Sequence, residues 1–349
     1  MNSGSICLVP VINRVAGPGS FQLKLKAALE RRGYRVHHDP TQADTQAILI
    51  IAGTRRLSEI WAAKRRGVRI VQRLNGINYV HRVRPLGFKH WWRAETGNLL
   101  LAYTRRFVAE HVVYQSNFTR DWWHDWYGTH KAPFTVIRNA VDLQPYSPNG
   151  TETPPIDHIR VQVVEGHLNW DNGPALENAH RFALALQQAA GKQVELVIAA
   201  DVLPALRDSV HQNVPGVRVN YAGVAPREQI PVMSRQASLQ YSAEINPSCP
   251  NSVVEALACG LPVVGFDSGS LTELVQGNAG AVVPYGGDPW KLDLPDFPTL
   301  ARASLPLLAD PAPYRQGARA LAEAQFDLEH MTDLYLQVLL DGNPAVTHN

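Results

Sequence analysis

The stretch PNSVVEALACGLPVVGFDSGSLTE, residues 250–273, has the clearest structural pattern in the chain. It predicts a helix over Ser252–Cys259 that stops at Gly260, followed at once by a buried strand over Pro262–Phe266. A helix, a glycine stop and an apolar strand form the repeating unit of a parallel sheet covered by helices. The stretch therefore predicts an α/β domain.

The same alternation of strands and helices extends to both sides of this stretch. In the first half, strands are predicted at Ile6–Ile12, Tyr34–His37, Ala47–Ala52, Val68–Arg73, His111–Gln115 and Thr135–Ile137. In the second half, further strands are predicted at Ile159–Val164, Val194–Ala199, Val217–Tyr221 and Ser238–Tyr241. This order predicts two Rossmann-like domains with mainly parallel sheets. Ligands bind outside the carboxyl ends of such strands, so we expect the domains to face each other across a cleft.

A turn-rich segment separates the two predicted domains. Prolines and glycines cluster between Pro145 and Pro155, where neither helical nor strand periodicity continues. We therefore predict a first domain over residues 1–149 and a second over residues 150–327. A last helix, Leu328–Leu340 within residues 328–349, is expected to pack back on the first domain.

Composition narrows the class of protein. The chain has 349 residues, of which 45% are hydrophobic and 18% charged, and no apolar run reaches the roughly 18 residues of a membrane span. Its three cysteines are too scattered for a disulfide framework or a zinc site. These features predict a cytoplasmic protein.

Charge is divided unevenly along the chain. Residues 1–149 contain 22 Lys and Arg against 9 Asp and Glu, whereas residues 150–349 contain 11 against 22. Between Arg55 and Arg106, 13 basic residues alternate with aromatic ones. Such a surface attracts anionic lipid, phosphorylated substrates or nucleic acid, and the alternative is a solvated basic face. We expect peripheral contact with the anionic inner face of the membrane and no nucleic-acid partner.

The start of the predicted helix has the properties of an anion site. Asn251 or Ser252 is expected to cap it, so that the amides of Ser252, Val253 and Val254 point outward with the positive end of the helix dipole behind them. A diphosphate suits that position. Glu255, expected on the first turn, can accept hydrogen bonds from two vicinal hydroxyls. The alternative is an ordinary helix and core strand.

Residues 250–275, PNSVVEALACGLPVVGFDSGSLTELV, resemble the donor-site signature of retaining glycosyltransferases of the large family 4, which have two Rossmann-like domains in the GT-B architecture. The likeness extends along the chain. It includes GPGS at 17–20, VQRLNG at 71–76, VIRNAVDL at 136–143 and GHLNWDNG at 166–173. The resemblance implies a metal-independent enzyme without a cofactor, whose substrate is a nucleoside-diphosphate sugar.

The resemblance also assigns roles to individual residues. Glu255 would hold the ribose hydroxyls, and the amides of Ser252 and Val253 would hold the diphosphate. Further donor contacts are implied for Gly17 and Gly19 in the first domain, for the loop at Gly166 and His167, and for Gly223 and Val224, whose backbone would hold the base.

Three positions, in two segments, depart from the family pattern. A glutamate that contacts the transferred sugar is expected eight residues before Glu255, but Pro247 stands there, and Glu244 is the nearest carboxylate. An Arg and a Lys are expected in the loop entering the second domain, but His167 and Asn172 stand there. The leaving diphosphate would then need another cation. The candidates are a protonated His167 or the first-domain arginines Arg55, Arg56, Arg73 and Arg82.

Catalytic candidates in the first domain follow its fourth strand. Asn75 and His81 are the candidates for orienting the sugar, with Arg73 beside them, and the alternative for His81 is a structural histidine. The tryptophan pairs Trp91–Trp92 and Trp122–Trp123 are expected to be core or helix-packing residues, with sugar binding or membrane contact as the alternative.

Taken together, these patterns predict a retaining glycosyltransferase, such as a hexosyltransferase, that acts on a glycan or lipid-linked acceptor. A second hypothesis is a catalytically impaired relative that serves as a binding or scaffolding protein, which the changes at Pro247, His167 and Asn172 suggest. A nucleotide-sugar epimerase is the third, but no acid/base cluster in the sequence supports it.

Overall fold

A computed structural model describes residues 4–12, 17–172 and 174–341. The chain forms two compact units. The first comprises residues 1–79, 87–139 and 328–349, and the second comprises residues 80–86 and 140–327. The boundary thus lies at 139/140, whereas the sequence pattern placed it at 149/150.

Each unit contains one sheet of six parallel strands. The strands are β1 Ser5–Val9, β2 Arg35–His37, β3 Thr45–Ile51, β4 Arg69–Leu74, β5 His111–Tyr114, β6 Phe134–Val136, β7 Ile159–Leu168, β8 Val194–Val202, β9 Arg218–Tyr221, β10 Leu239–Tyr241, β11 Val263–Asp267 and β12 Gly280–Pro284. The order is β2-β1-β3-β4-β5-β6 in the first sheet and β12-β11-β10-β7-β8-β9 in the second. Central strands such as β1 and β3 are buried almost throughout, which explains their continuous apolar sequences.

Helices connect the strands. They are α1 Pro18–Arg31, α2 Leu57–Arg65, α3 Val80–Val83, α4 Phe88–Tyr103, α5 Asn117–Tyr127, α6 Ala175–Ala190, α7 Pro204–Asn213, α8 Ile230–Gln236, α9 Asn251–Ala258, α10 Leu271–Leu274, α11 Phe297–Ala309, α12 Pro311–Gln325 and α13 Leu328–Leu336. Short π-helical turns at Thr104–Val108 and Gln337–Asp341 follow α4 and α13. Among the described residues, no helix combines the length and hydrophobicity of a membrane span.

The last helix, α13, belongs to the first unit and packs against α1. Arg31, the last residue of α1, and the following Arg32 donate hydrogen bonds to the Glu329 carboxylate at 2.6 and 2.8 Å. The rings of Phe21 and Tyr335 lie 5.2 Å apart, and Tyr335 is fully buried. The first unit is therefore assembled from the beginning and the end of the described chain.

The second unit has an apolar core on each face of its sheet. Buried residues of β7 and β8 pack against α6 and α11 on one face, and α9 packs with α12 on the other. Because α9 is held between the sheet and α12, its position relative to the strand ends is fixed.

Several element boundaries differ from the sequence-based predictions. Strand β1 ends at Val9, and α1 begins at Pro18 instead of Phe21, since proline at the first helical position lacks only an amide that the helix does not use. Strand β12 was not predicted. The expected burial was wrong for Trp91 and Trp92, which are 42 and 59% exposed, whereas Trp122 and Trp123 are buried.

Candidate functional site

The predicted donor residues of the second unit lie along one edge of its sheet. Its six strands are parallel, so their carboxyl ends meet at the same edge. Strand β9 lies three strands from β10, a distance of about 14 Å at the usual strand spacing. The loop after β9 and the helix after β10 can therefore contact opposite ends of one extended ligand.

Helix α9 begins at this edge without a side-chain cap. Pro250 is the N-cap residue, with φ −69° and ψ 128°, and its side chain makes no capping hydrogen bond. The prediction that Asn251 or Ser252 would cap it was wrong, because the extended Pro250 lets Asn251 become the first helical residue. The first-turn amides of Ser252 and Val253 thus have the geometry expected for an anion site.

Glu255 lies on the second turn of α9, one residue past the first turn on which it was expected. It is only 8% exposed. Burial raises the pKa of Tyr146, the Glu255 carboxylate raises it further, and the Arg227 guanidinium opposes the shift. The Tyr146 hydroxyl also donates a hydrogen bond of 3.4 Å to the carbonyl of Arg227. Glu255 and Arg227 therefore lie near the same phenol.

Sequence reasoning missed Arg227. It follows Gly223 and Val224 by a few residues, in the segment GVAPR, and its signal was no more than a basic residue after a glycine turn. The structure places it in the turn before α8, close enough to Tyr146 to affect the pKa of that phenol. It places a cation of the second unit near Tyr146, the phenol that the Glu255 carboxylate also affects.

The far end of α9 is held firmly. Arg319 of α12 donates hydrogen bonds to the carbonyls of Ala258 at 2.7 Å and Tyr146 at 2.8 Å. A cation at this position satisfies a terminal carbonyl and matches the negative end of the helix dipole. Gly260 has φ +66°, and a Cβ there would lie 3.2 Å from the carbonyl oxygen of Arg315. The predicted glycine stop is confirmed.

Pro247 has a packing partner on the neighbouring strand end. The Ser270 amide donates to the Pro247 carbonyl at 2.8 Å. Gly269 has φ +63°, and a Cβ there would lie 2.4 Å from Pro247 atoms. The proline and the glycine therefore join the loops after β10 and β11, which explains how a proline occupies the position where the family pattern has a glutamate.

Glu244 has a carboxylate partner that sequence reasoning missed. It lies just beyond β10, whereas Glu165 lies near the end of the adjacent strand β7. Glu244 is reached by solvent yet closely surrounded by protein, and this enclosure raises its pKa. Enclosure also raises the pKa of Glu165, and the Glu244 charge raises it further. The two carboxyl groups repel each other when both are ionised, so near neutral pH they favour holding a proton.

The loop that enters the second unit is irregular. The register between β7 and β8 shifts between Val164 and His167, so Glu165 and Gly166 lie in a bulge, a feature that re-aims side chains at strand ends. His167 is exposed. The Asn172 side chain accepts a 2.9 Å hydrogen bond from the Asn169 amide and thus closes its own turn. The following Gly173 lies outside the described residues.

The loop after β9 contains the two predicted base-binding residues. Gly223 has φ +71°, a conformation that side chains disfavour. Val224 is 62% exposed. The pair thus presents backbone groups and one small apolar side chain at the edge strand of the second sheet.

The first-unit candidates are separate from these residues. Gly17 is the N-cap of α1 with φ +55°, and Gly19 is buried in its first turn. The Asn75 side-chain oxygen accepts hydrogen bonds from Arg73 at 2.8 Å and Gln115 at 2.6 Å. Arg73 is 1% exposed and stacks on Phe21, so the structure does not favour it as a cation for a leaving group.

His81 belongs to the second unit, not to the unit of Asn75. It is buried in the single-turn helix α3, which contacts the turn Trp170–Asn172. The structure therefore places His81 with the loop that enters the second sheet. Among the described residues, no group of three or more His, Cys, Asp or Glu side chains could hold a metal ion.

A match to a known protein family lies in the same part of the chain as most of the candidate residues of the second unit. Residues 170–309 match the family model "Glycosyl transferases group 1". That range includes Gly223, Glu244 and the whole of α9. Comparison with curated protein sequences found no match.

Solved structures resemble nearly the whole chain. Sucrose-phosphate synthase from Thermosynechococcus elongatus is 18% identical, with a TM-score of 0.70 over 96% of this chain and 99% of that one. HepE from Anabaena, solved with UDP-glucose, is 17% identical, with a TM-score of 0.68 over the same shares. A glycosyltransferase from Rickettsia africae is 14% identical, with a TM-score of 0.66 over 98 and 99%. The chain has the GT-B fold. The predicted fold class is thereby confirmed, and the family match supports a glycosyltransferase activity.

Proposed function

We propose that this protein transfers a sugar, such as a hexose, from a nucleoside-diphosphate sugar to a glycan or lipid-linked acceptor, with retention at the anomeric carbon and without a metal. The observation that carries the proposal is the amino end of α9, where the N-cap residue is a proline, with buried Glu255 on the second turn, inside the segment that matches the glycosyltransferase model. The bond between the anomeric carbon and the diphosphate oxygen breaks, and the diphosphate keeps the electron pair. The acceptor oxygen bonds to that carbon and passes its proton to the departing diphosphate oxygen.

In this proposal each group at the sheet edge has one task. The Ser252 and Val253 amides stabilise the diphosphate as its charge increases, because a helix amino terminus is already oriented toward an anion. Glu255 accepts hydrogen bonds from the ribose hydroxyls. Gly223 and Val224 contact the base.

Arg227 is our candidate for the cation that the family pattern places in the loop at His167 and Asn172. It lies in the second unit, its carbonyl accepts a hydrogen bond from Tyr146, and it does not depend on the first-domain arginines. Exposed His167 remains a second candidate if protonated.

The carboxyl pair Glu165–Glu244 is suited to binding the hydroxyls of the transferred sugar. When one proton is shared, one carboxyl donates a hydrogen bond and the other accepts, which matches neighbouring sugar hydroxyls. Sharing the proton also removes one negative charge from the vicinity of the diphosphate.

Calorimetry and product analysis test the proposal. Uridine is the first base to try, because HepE was solved with UDP-glucose. The purified protein is titrated with UDP and incubated with a panel of nucleotide sugars, and release of the nucleotide is recorded. Binding with turnover supports the enzyme, and binding without turnover supports the alternative of a binding or scaffolding protein. Absence of binding across the panel would refute both.

The ribose assignment is tested by Glu255→Gln. We expect at least a tenfold loss of UDP affinity with a nearly unchanged melting temperature, because the change removes an acceptor charge and keeps the side-chain shape. Glu30→Gln, at an exposed residue of α1, is the matched control and should bind UDP like the wild type. Equal affinity in all three proteins would contradict the assignment.

A further inference from the structure

Helix α4 and the turn after it present an apolar face to solvent. Phe88, Trp91, Trp92, Leu99, Tyr103 and Phe107 are between 41 and 77% exposed. Single exposed apolar residues are normal, but six of them along one helix and its following turn are a concentration of exposed apolar surface, and such surfaces mark interaction sites. We call these six residues the aromatic face.

Contacts on the opposite side of α4 hold the aromatic face toward solvent. Ala94, Asn98 and Thr104 are buried there. The Asn98 side chain donates to the Asn78 carbonyl at 2.8 Å and accepts from the Asn78 amide at 3.1 Å. Since these contacts set the rotation of the helix, the aromatic face cannot turn inward to bury itself.

The aromatic residues form a cluster at each end of the helix. The Phe88 and Trp91 rings stack with centroids 6.4 Å apart, and the Tyr103 and Phe107 rings lie 5.2 Å apart. Phe88 and Tyr103 are the first and last residues of α4, so the clusters are separated by about 22 Å at the helical rise. The face is a long ridge and not a pocket.

Positive charge surrounds this ridge. Lys89, Arg93 and Arg106 are exposed on the same element, and Glu95 is the one acidic side chain on it, half-buried. The residues of the first unit include 20 Lys and Arg against 11 Asp and Glu. Aromatic residues with Lys and Arg at their borders are the composition of helices that lie in a lipid interface.

We propose that the aromatic face docks on an anionic lipid bilayer, with α4 lying in the plane of the headgroups. The rings enter the boundary between headgroups and acyl chains, while the Lys and Arg side chains keep their charges among the phosphates. An apolar groove on a protein partner would match the rings, but it need not carry negative charge opposite the Lys and Arg side chains around them. An anionic bilayer offers both an apolar interior and a negatively charged surface. The proposed lipid contact lies in the first unit and does not depend on the proposed sugar transfer.

Sedimentation with lipid vesicles tests the inference. The protein without donor is mixed with vesicles of phosphatidylcholine alone or with 30% phosphatidylglycerol, at low and high salt. We expect binding to the anionic vesicles that weakens several-fold as salt screens the charges, and much weaker binding to the neutral ones. A protein that stays in the supernatant with anionic vesicles, or binds both compositions equally, would overturn the proposal.

Variants distinguish binding through the aromatic face from nonspecific adsorption to vesicles. Phe88→Ser combined with Trp92→Ser should lower the partition coefficient at least tenfold, and Lys89→Glu combined with Arg93→Glu should remove the salt dependence. Ile156→Ser, at a residue 94% exposed in the second unit, is the control and should bind like the wild type. UDP affinity, measured on the same samples, shows whether each variant is correctly folded. It does not depend on lipid binding. Unaltered binding in both double variants would show that the aromatic face does not contact lipid.

Discussion

At the scale of single residues, the carboxyl pair Glu165–Glu244 has the strongest consequence for pH dependence. Both pKa values are raised, by enclosure first and, for Glu165, by its partner's charge as well. The folded protein therefore binds these protons more tightly than the unfolded chain. The contribution of the pair to the free energy of unfolding is present at low pH and decreases as the pH rises past the ordinary glutamate pKa of about 4.3.

We expect Glu165→Gln to reduce this dependence to the part that Glu244 contributes alone. Relative to the wild type, the variant should gain a few degrees in melting temperature as the pH is raised from about 5 to 9, because it no longer ionises beside Glu244. Melting is followed by circular dichroism across that range. Glu177→Gln, at a carboxylate paired with Arg181 on α6, is the control. Parallel curves for the wild type and Glu165→Gln would contradict the coupling.

The sequence indicated part of the site and missed the rest for a physical reason. The amino end of α9 and Glu255 follow from a local pattern of proline, helix and glycine stop. Glu165 has no such pattern, since its partner is 79 residues further along the chain and reaches it only through the pairing of β7 with β10. Arg227 was missed in the same way, because its nearness to Tyr146 depends on tertiary packing.

At the scale of elements, the loops after β10 and β11 depend on one close contact. Gly269→Ala would place a methyl group 2.4 Å from Pro247 in a left-handed backbone conformation. We expect a loss of about 2–4 kcal/mol in the free energy of unfolding, from the strained φ and the forced displacement of the loop. Denaturant unfolding measures it.

Gly277→Ala is a matched control for that prediction. Gly277 has a similar φ of +56°, but a Cβ there meets nothing within 4 Å. It should show only the cost of the left-handed conformation, about 1 kcal/mol. Equal losses at the two positions would mean that the contact with Pro247 adds nothing.

The order of the elements was largely predictable, whereas their ends were not. Apolar runs bounded by glycine and proline located eleven of the twelve strands, since a strand buried on both faces needs an almost unbroken apolar sequence. Strand β12, GAVVP, is short and partly exposed, so its pattern was weak. The bulge in β7 was invisible because it arises from pairing with β8.

At the scale of the whole molecule, the first unit depends on the last described helix. Tyr335→Ala should open a cavity beside Phe21 and destabilise the first unit by about 3–5 kcal/mol. Hydrogen exchange measured by mass spectrometry should then accelerate in peptides of β1, β3 and α1 while peptides of the second unit are unchanged.

Tyr103→Ala is the control for this prediction, because Tyr103 lies in the same unit and is 41% exposed. It should leave exchange in the first unit close to that of the wild type. Uniform acceleration across both units after Tyr335→Ala would mean that they unfold together and that the helix is not specific to the first.

Because α13 packs against α1, the first unit can finish folding only after α13 has been translated. Residues 1–79 leave the ribosome before the second unit, whereas the partners of Phe21 and Arg32 lie beyond residue 327 and emerge after it. Residues 1–79 must therefore wait, with part of their apolar surface uncovered, until the second unit has been translated. During this interval the first sheet is the region of the nascent protein most in need of chaperone protection.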